Sequence, residues 1–357
     1  MMRKRKRKDS QMNLLMEHNQ KPYRVAVQKE KRRDAFQATY KLVRNVIFIG
    51  TIIGVGIYFA ATWLFQETPL KDVIELDRGI VAEIIDDITK PLTYDDVGFQ
   101  MASENALLIN ISNGRTLFAH QEDVQTYPAS ITKIMTVLLG LENGEMDERV
   151  TVNADFEELF LADAMQSGFS FGEVRTLSEI LHAIMLPSGA EATWSLANHV
   201  GGSYEGFVDL MNEKAREIGM SNTNFVTTTG LHDDNHYTTA NDIAILMQYA
   251  LTIPGFKDIF TAATYELDTP NALGSTMHST LFSFAPQTSF EGGEILGGRT
   301  GFTTLAGRCL ASLATDGTDE FILITFGAED PNWEQTTHIL DALMIYEYFL
   351  EVRDEEA

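Results

Sequence analysis

Three short runs hold the residue types that acyl-transfer chemistry needs: Ser130-Ile131-Thr132-Lys133, Ser188-Gly189-Ala190 and Arg299-Thr300-Gly301. In the first, Lys133 follows Ser130 by three residues, so on a helix both lie on one face. A serine opening a helix has its oxygen near the positive end of the dipole, where a developing anion is stabilised. The neighbours Ile131, Ile134, Met135, Leu138 and Leu141 are apolar. A lysine partly buried among them loses its proton more readily and can act as a base. Taken alone, the same spacing also describes an N-cap serine followed by a surface lysine.

Ser188 lies in Leu186-Pro187-Ser188-Gly189-Ala190-Glu191-Ala192, between two predicted helices. Its hydroxyl could pass a proton between the base and a leaving group, although a lone serine there also reads as a helix cap. Gly297-Gly298-Arg299-Thr300-Gly301-Phe302-Thr303 precedes a predicted terminal hairpin. Its glycines let a substrate backbone approach a strand closely. Arg299 and Thr300 could then clamp a carboxylate through charge-assisted hydrogen bonds. Each run is weak by itself. Their order, with a nucleophile, a connecting serine and a basic strand, makes a strong joint signal.

Metal chemistry finds little support. His232-Asp233-Asp234-Asn235-His236 holds the only close pair of histidines and lacks the His-Glu-x-x-His spacing, so it reads as a solvated turn. The single Cys309 permits neither an internal disulfide nor a zinc cluster. No cofactor is expected.

The elements that must position the three runs can be read from periodicity and punctuation. Ala106 to Ile111 and Thr116 to Ala119 are apolar runs around Asn113-Gly114, the signal of a type I′ hairpin. A long helical region is expected from about Ser130 to Gly202, with a capping box at Thr176-x-x-Glu179. Another helix runs from about Tyr204 to Ile218 and stops at Gly219. Thr239-x-x-Asp242 begins a third, which continues through Ala250. Strands return at Cys309 to Thr315 and Glu320 to Phe326 around Asp316-Gly317, before a closing helix from about Asn332 to Phe349. The expected class is α+β, one antiparallel sheet flanked by helices with a helical insertion.

Charge divides the chain of 357 residues, whose net is -24. Residues 1–45 carry 14 Lys/Arg against 4 Asp/Glu, residues 46–65 carry no charge, and the remainder carries 13 against 47. About 20 apolar residues span a bilayer core when helical. The positive flank predicts a cytoplasmic N-terminus and an extracellular remainder. The domains expected are thus a basic tail (1–45), a transmembrane helix (46–65), a stalk or linker (66–97) and a catalytic domain (98–357). A cleaved signal peptide is the alternative, but the leader is long and no small-x-small site follows the apolar run. The tail should meet anionic lipid headgroups rather than nucleic acid. Val73, Ile74, Ile80, Val81, Ile84, Ile85 and Ile88 give the stalk a helical stripe ending before Pro91, which could dock on the domain or pair with a second copy. The sequence leaves the oligomeric state open.

With those residues in view, the chain resembles the serine-type D-alanyl-D-alanine carboxypeptidases, low-molecular-mass penicillin-binding proteins of the β-lactamase/transpeptidase-like superfamily. The resemblance covers about residues 103–330. It includes Pro128-Ala129-Ser130-Ile131-Thr132-Lys133-Ile134-Met135, the stretch from Met211-Asn212 to Gly219-Met220, Thr229-Gly230-Leu231, Tyr237-Thr238-Thr239-Ala240 and Ala306-Gly307-Arg308-Cys309-Leu310.

The resemblance implies removal of the terminal D-alanine from peptidoglycan stem peptides, with β-lactams as covalent inhibitors. It makes Ser130 the acylated nucleophile, Lys133 its base and Ser188 the proton relay. Arg299 and Thr300 hold the terminal carboxylate beside Gly301, and the N–H groups of Ser130 and Phe302 form the oxyanion hole. Two positions depart from the family pattern: Ala190 stands where an asparagine is expected, and Arg299 where a lysine is. A noncatalytic module that binds wall peptide, or a β-lactamase, are the alternatives.

Overall fold

Alternation along the strands builds a sheet with two buried faces. β1 (Asn105–Asn110) and β2 (Arg115–His120) join β7 (Ser289–Phe290), β8 (Gly293–Thr303), β9 (Gly307–Thr315) and β10 (Glu320–Ala328). All pairings are antiparallel, in the order β2-β1-β10-β9-β8-β7. Successive side chains point to opposite faces. Leu107, Ile109, Leu313, Ile322 and Ile324 therefore enter one core, and Leu108, Leu310, Phe321 and Leu323 enter the other.

The second face is covered by the C-terminal helix α9 (Thr337–Leu350), which presents Ile339, Ala342, Ile345 and Tyr346. The first face carries most of the insertion between β2 and β7, whose last helix instead sends Leu281 into the other core. A 3-10 turn (Ala129–Thr132) runs into α1 (Lys133–Asn143), followed by α2 (Phe156–Leu161), α3 (Leu177–Met185), α4 (Ala190–Gly201), α5 (Tyr204–Ile218), α6 (Ala240–Ala250), α7 (Phe256–Thr261) and α8 (Thr280–Phe284). Two small hairpins interrupt them, β3 (Arg149–Thr151) with β4 (Val174–Thr176), and β5 (Thr264–Asn271) with β6 (Gly274–His278).

This computed structural model describes residues 90–97, 99–330 and 335–350. The basic tail, the apolar stretch 46–65 and the stalk helix expected before Pro91 lie outside the described residues. Among the described residues no helix is long and apolar enough to cross a membrane.

Local signals account for several helix ends. Thr176 and Glu179 form the reciprocal capping box at the start of α3. Gly219 ends α5 at φ +94°, where a side chain would be strained. Thr239 accepts from the Asp242 N–H and caps α6.

Three expectations need correction. The helical region from Ser130 to Gly202 is broken by β3 and β4, short strands whose three residues carry too little periodicity to be read. The first hairpin is not a two-residue type I′ turn, which needs positive φ at both central residues. Only Gly114 has it, at +73°. The loop instead spans residues 111–114, organised by Asn110 Oδ1, which accepts from the N–H groups of Ser112 (2.9 Å) and Asn113 (3.3 Å). The closing helix starts at Thr337 rather than Asn332.

Candidate active site

Ser130, the expected nucleophile, sits on a strained turn. Ala129, buried before Ser130, has φ +46°. Non-glycine residues rarely adopt such values, which persist where the surroundings enforce them. Here Thr132 Oγ1 donates to Ala129 O at 2.8 Å. Gly230 packs so closely that a Cβ there would stand 1.7 Å from Ala129 O. The turn delivers Ser130 to the N-terminal side of α1, and Lys133 Nζ donates to Ser130 Oγ at 3.1 Å. The second acceptor of Nζ is Thr229 O at 2.6 Å.

Ser188 arrives between α3 and α4 with φ +71°, and its Oγ lies 3.2 Å from Ser130 Oγ. The third run comes from β8. Arg299 Nε donates to Ser130 O (3.1 Å), Nη1 to Met185 O (2.9 Å) and Nη2 to Ser188 Oγ. Gly301 makes the close approach feasible, since a Cβ there would lie 3.0 Å from Ser130 N. Ser130, Lys133, Ser188 and Arg299, up to 169 residues apart, thus converge through direct hydrogen bonds.

The geometry changes the part expected of Arg299. It is 0% exposed, and each of its three nitrogens already bonds a protein acceptor. It underpins Ser188 and the nucleophile turn instead of projecting into solvent as a clamp. Thr300, its strand neighbour, is also buried, and its Oγ1 donates to Thr280 Oγ1 at 2.7 Å. Phe302 is partly exposed and lies under the Arg308 guanidinium, 4.2 Å from the ring centroid.

At the second run, the Ala190 methyl packs with Ala154 and Leu159. Glu191 Oε1 accepts from the N–H groups of Ser167 (2.8 Å), Gly168 (2.9 Å) and Phe169 (3.1 Å) and from Ser167 Oγ (2.7 Å). That carboxylate fixes the loop beside the second run and does not orient Lys133 by contact.

The electrostatics favour a neutral base. Burial pushes the Lys133 ammonium well below its ordinary value, the Arg299 charge lowers it further, and Glu191 opposes both. Burial also lowers Arg299, to about 9, which leaves it cationic near neutral pH. Two cations this close cannot both be favourable, and lysine is the one that can release a proton.

Sequence reasoning missed His236. The turn around it is not uniformly solvated: Asp234 and Asn235 are exposed, whereas His236 is 2% exposed. Its Nδ1 accepts from Val226 N (2.9 Å) and Thr227 N (3.1 Å), and Nε2 meets Thr132 Oγ1 at 2.8 Å. Its position just before Tyr237-Thr238-Thr239-Ala240 was the available signal, but acidic neighbours masked it. Among the described residues no cluster of three or more His, Cys, Asp or Glu could hold a metal ion.

A serine hydrogen-bonded to a buried lysine on an α+β scaffold, with a second serine bridging to a buried cation, is the arrangement expected of the active-serine class of peptidases and penicillin-recognising enzymes. Comparison with known proteins agrees. Residues 91–330 match the D-alanyl-D-alanine carboxypeptidase family, peptidase family S11, and the chain belongs to that family. The D-alanyl-D-alanine carboxypeptidase DacF of Bacillus subtilis is 33% identical over 250 residues, 67% of this chain and 61% of the relative. A D-alanyl-D-alanine endopeptidase of Escherichia coli is 27% identical over 253 residues, 68% of this chain and 76% of the relative. The crystal structure of the Streptomyces K15 DD-transpeptidase superposes with a TM-score of 0.62 at 25% identity, covering 71% of this chain and 98% of that one. The match thus takes in 61% of the length of DacF.

Proposed function

We propose that this protein is a membrane-anchored D-alanyl-D-alanine carboxypeptidase that removes the terminal D-alanine of peptidoglycan stem peptides through an acyl-enzyme on Ser130. The observation that carries the reading is the contact of Ser130 Oγ with both Lys133 Nζ and Ser188 Oγ. Neutral Lys133 takes the Ser130 proton as Oγ bonds to the carbonyl carbon of the penultimate D-alanine. The developing oxyanion is received by the N–H groups of Ser130 and Phe302. As the C–N bond breaks, the leaving amine takes the proton from Lys133 by way of the Ser188 hydroxyl. Water then attacks the ester, its proton passes by way of Lys133 to Ser130 Oγ as the acyl C–O bond breaks, and the shortened peptide leaves with a free carboxylate.

Arg299 supports this chemistry from behind, holding Ser188 and adding its charge to the burial that keeps Lys133 neutral. Its buried charge contributes only a positive potential at the site for the terminal carboxylate, since its hydrogen bonds are spent on Ser130, Met185 and Ser188. The apolar stretch 46–65 tethers the enzyme, leaving the basic tail among anionic headgroups on the inner side and the acidic domain outside.

The test is D-alanine release from a pentapeptide ending in D-Ala-D-Ala by the full-length chain, with mass spectrometry of the protein after penicillin. The reading expects release, loss of it in Ser130→Ala, and a penicillin adduct on Ser130. Peptide binding without release or adduct would leave a noncatalytic module, and rapid turnover of the penicillin would leave a β-lactamase. Release from crosslinked dimers only would make it an endopeptidase.

A further inference from the structure

Near the reacting groups, one buried polar side chain has no part in the proton transfers just described. His236 joins two segments. On one side its Nδ1 takes the N–H groups of Val226 and Thr227. A nitrogen that accepts carries no proton, so the ring proton is on Nε2, which donates to Thr132 Oγ1 at 2.8 Å. Thr132 Oγ1 in turn donates its hydrogen bond to Ala129 O, at the strained residue before Ser130. The segment that His236 grips continues into two further ties to α1: Thr136 Oγ1 donates to Thr228 O at 2.8 Å, and Lys133 Nζ donates to Thr229 O. From the second run only Ser188 reaches the centre, because the Ala190 side chain ends in a methyl packed elsewhere. Lys133 therefore takes its orientation from Ser130 Oγ and a main-chain carbonyl.

We propose that His236 is a positioning residue for acylation: its Nε2–H, through Thr132, holds the Ser130 turn at the separation from Lys133 that proton transfer requires. The inference rests on the acyl-enzyme reading above and adds to it a residue that never touches substrate. Displacements of about 1 Å at a reacting centre can cost on the order of a hundredfold in rate, so a hydrogen bond one layer behind the nucleophile has leverage here. The ring also stays neutral under working conditions, since burial holds it down to about 4. The bond pattern is then constant across the pH range in which Lys133 titrates.

The test separates the two nitrogens in the full-length chain. His236→Gln places an amide donor near the Nε2 position, whereas His236→Asn places an acceptor near Nδ1 and gives nothing to Thr132. Thr132→Val removes the relay hydroxyl and Thr132→Ser restores it. Acylation by fluorescent penicillin, D-alanine release and the thermal midpoint are measured for each.

The proposal expects His236→Asn and Thr132→Val to acylate about ten- to a hundredfold more slowly, with KM for peptide changed less than about threefold. His236→Gln and Thr132→Ser should stay within about fivefold of wild type, whatever their midpoints. A merely structural role would make rate follow midpoint in all four, and that outcome, or four wild-type rates, overturns the proposal. Wild-type protein that takes up no label refutes the acyl-enzyme and the positioning claim with it, whereas labelled wild type with any of the overturning patterns above refutes the positioning claim alone.

Discussion

Arg299 lowers the proton affinity of Lys133 while itself remaining charged near neutral pH, so the site has one titrating amine instead of two. A lysine at position 299 would share that burden, because either amine could release a proton. With arginine the division of labour is fixed by chemistry. The sign of its influence can be tested. Arg299→Gln keeps a polar side chain against Ser188 but removes the charge, so Lys133 should hold its proton to higher pH. The acid limb of the acylation rate should therefore move upward in pH, and Arg299→Lys should move it the same way by less, because a buried lysine there keeps its charge only in part. A pH–rate profile of penicillin acylation checks this, and an unmoved limb in Arg299→Gln would show that burial alone sets the base. The residue types were legible in sequence, as was the pairing of Ser130 with Lys133 at i, i+3. The burial of Arg299 was not, because its partners Met185 and Ser188 lie more than a hundred residues away.

At the level of elements, α4 does two jobs from its first turn. Ser188 precedes it at the reacting centre, and Glu191 within it collects three main-chain N–H groups and one hydroxyl from the loop at Ser167, Gly168 and Phe169. Both groups hang from one helix start, so the loop and Ser188 are fixed together. Glu191→Ala would leave those buried donors unmatched, at about 1–3 kcal/mol for each that water cannot reach. A loss of about 3 kcal/mol or more in a denaturant titration is expected, against about 1–2 kcal/mol for Glu191→Gln, which keeps an acceptor oxygen. Equal, small losses would mean that the loop re-forms its bonds to solvent. The helices that end in strong local signals, at Thr176, Gly219 and Thr239, were readable because cap chemistry is local. The hairpins β3–β4 and β5–β6 were not, since isolated two-stranded pairs are decided by tertiary contacts more than by pattern. His236 escaped for a related reason: a histidine among aspartates looks solvated until the fold turns it inward.

For the molecule as a whole, the strands legible near both ends of the domain enclose an insertion whose interior keeps histidines neutral, and this makes acid a threat to folding. Burial lowers His236 to about 4, with His232 and Lys133 acting in the same direction and Asp233 opposing. Burial lowers His338, in the helix across the sheet, to about 3, with Arg308 reinforcing and Asp330 opposing. The ordinary value is 6.5. Between that value and the folded one the unfolded chain binds more protons than the native protein, so stability falls as pH falls. Their contribution is fully present above about 6.5 and erodes as pH drops through the window toward 4 and 3. Two such groups should together cost about 2.7 kcal/mol per pH unit in the steep part of that window. Measurements between pH 6.5 and about 5 stay above the sequence pI of about 4.6 and so avoid the charge minimum at which association would intrude. The expected result is a denaturant midpoint that declines steadily with acid over that range in wild type, and a slope reduced by about 1.4 kcal/mol per pH unit in His338→Leu. Carboxylates common to both proteins cancel in the difference, so identical slopes would mean that His338 is already protonated in the fold or finds a partner as it charges.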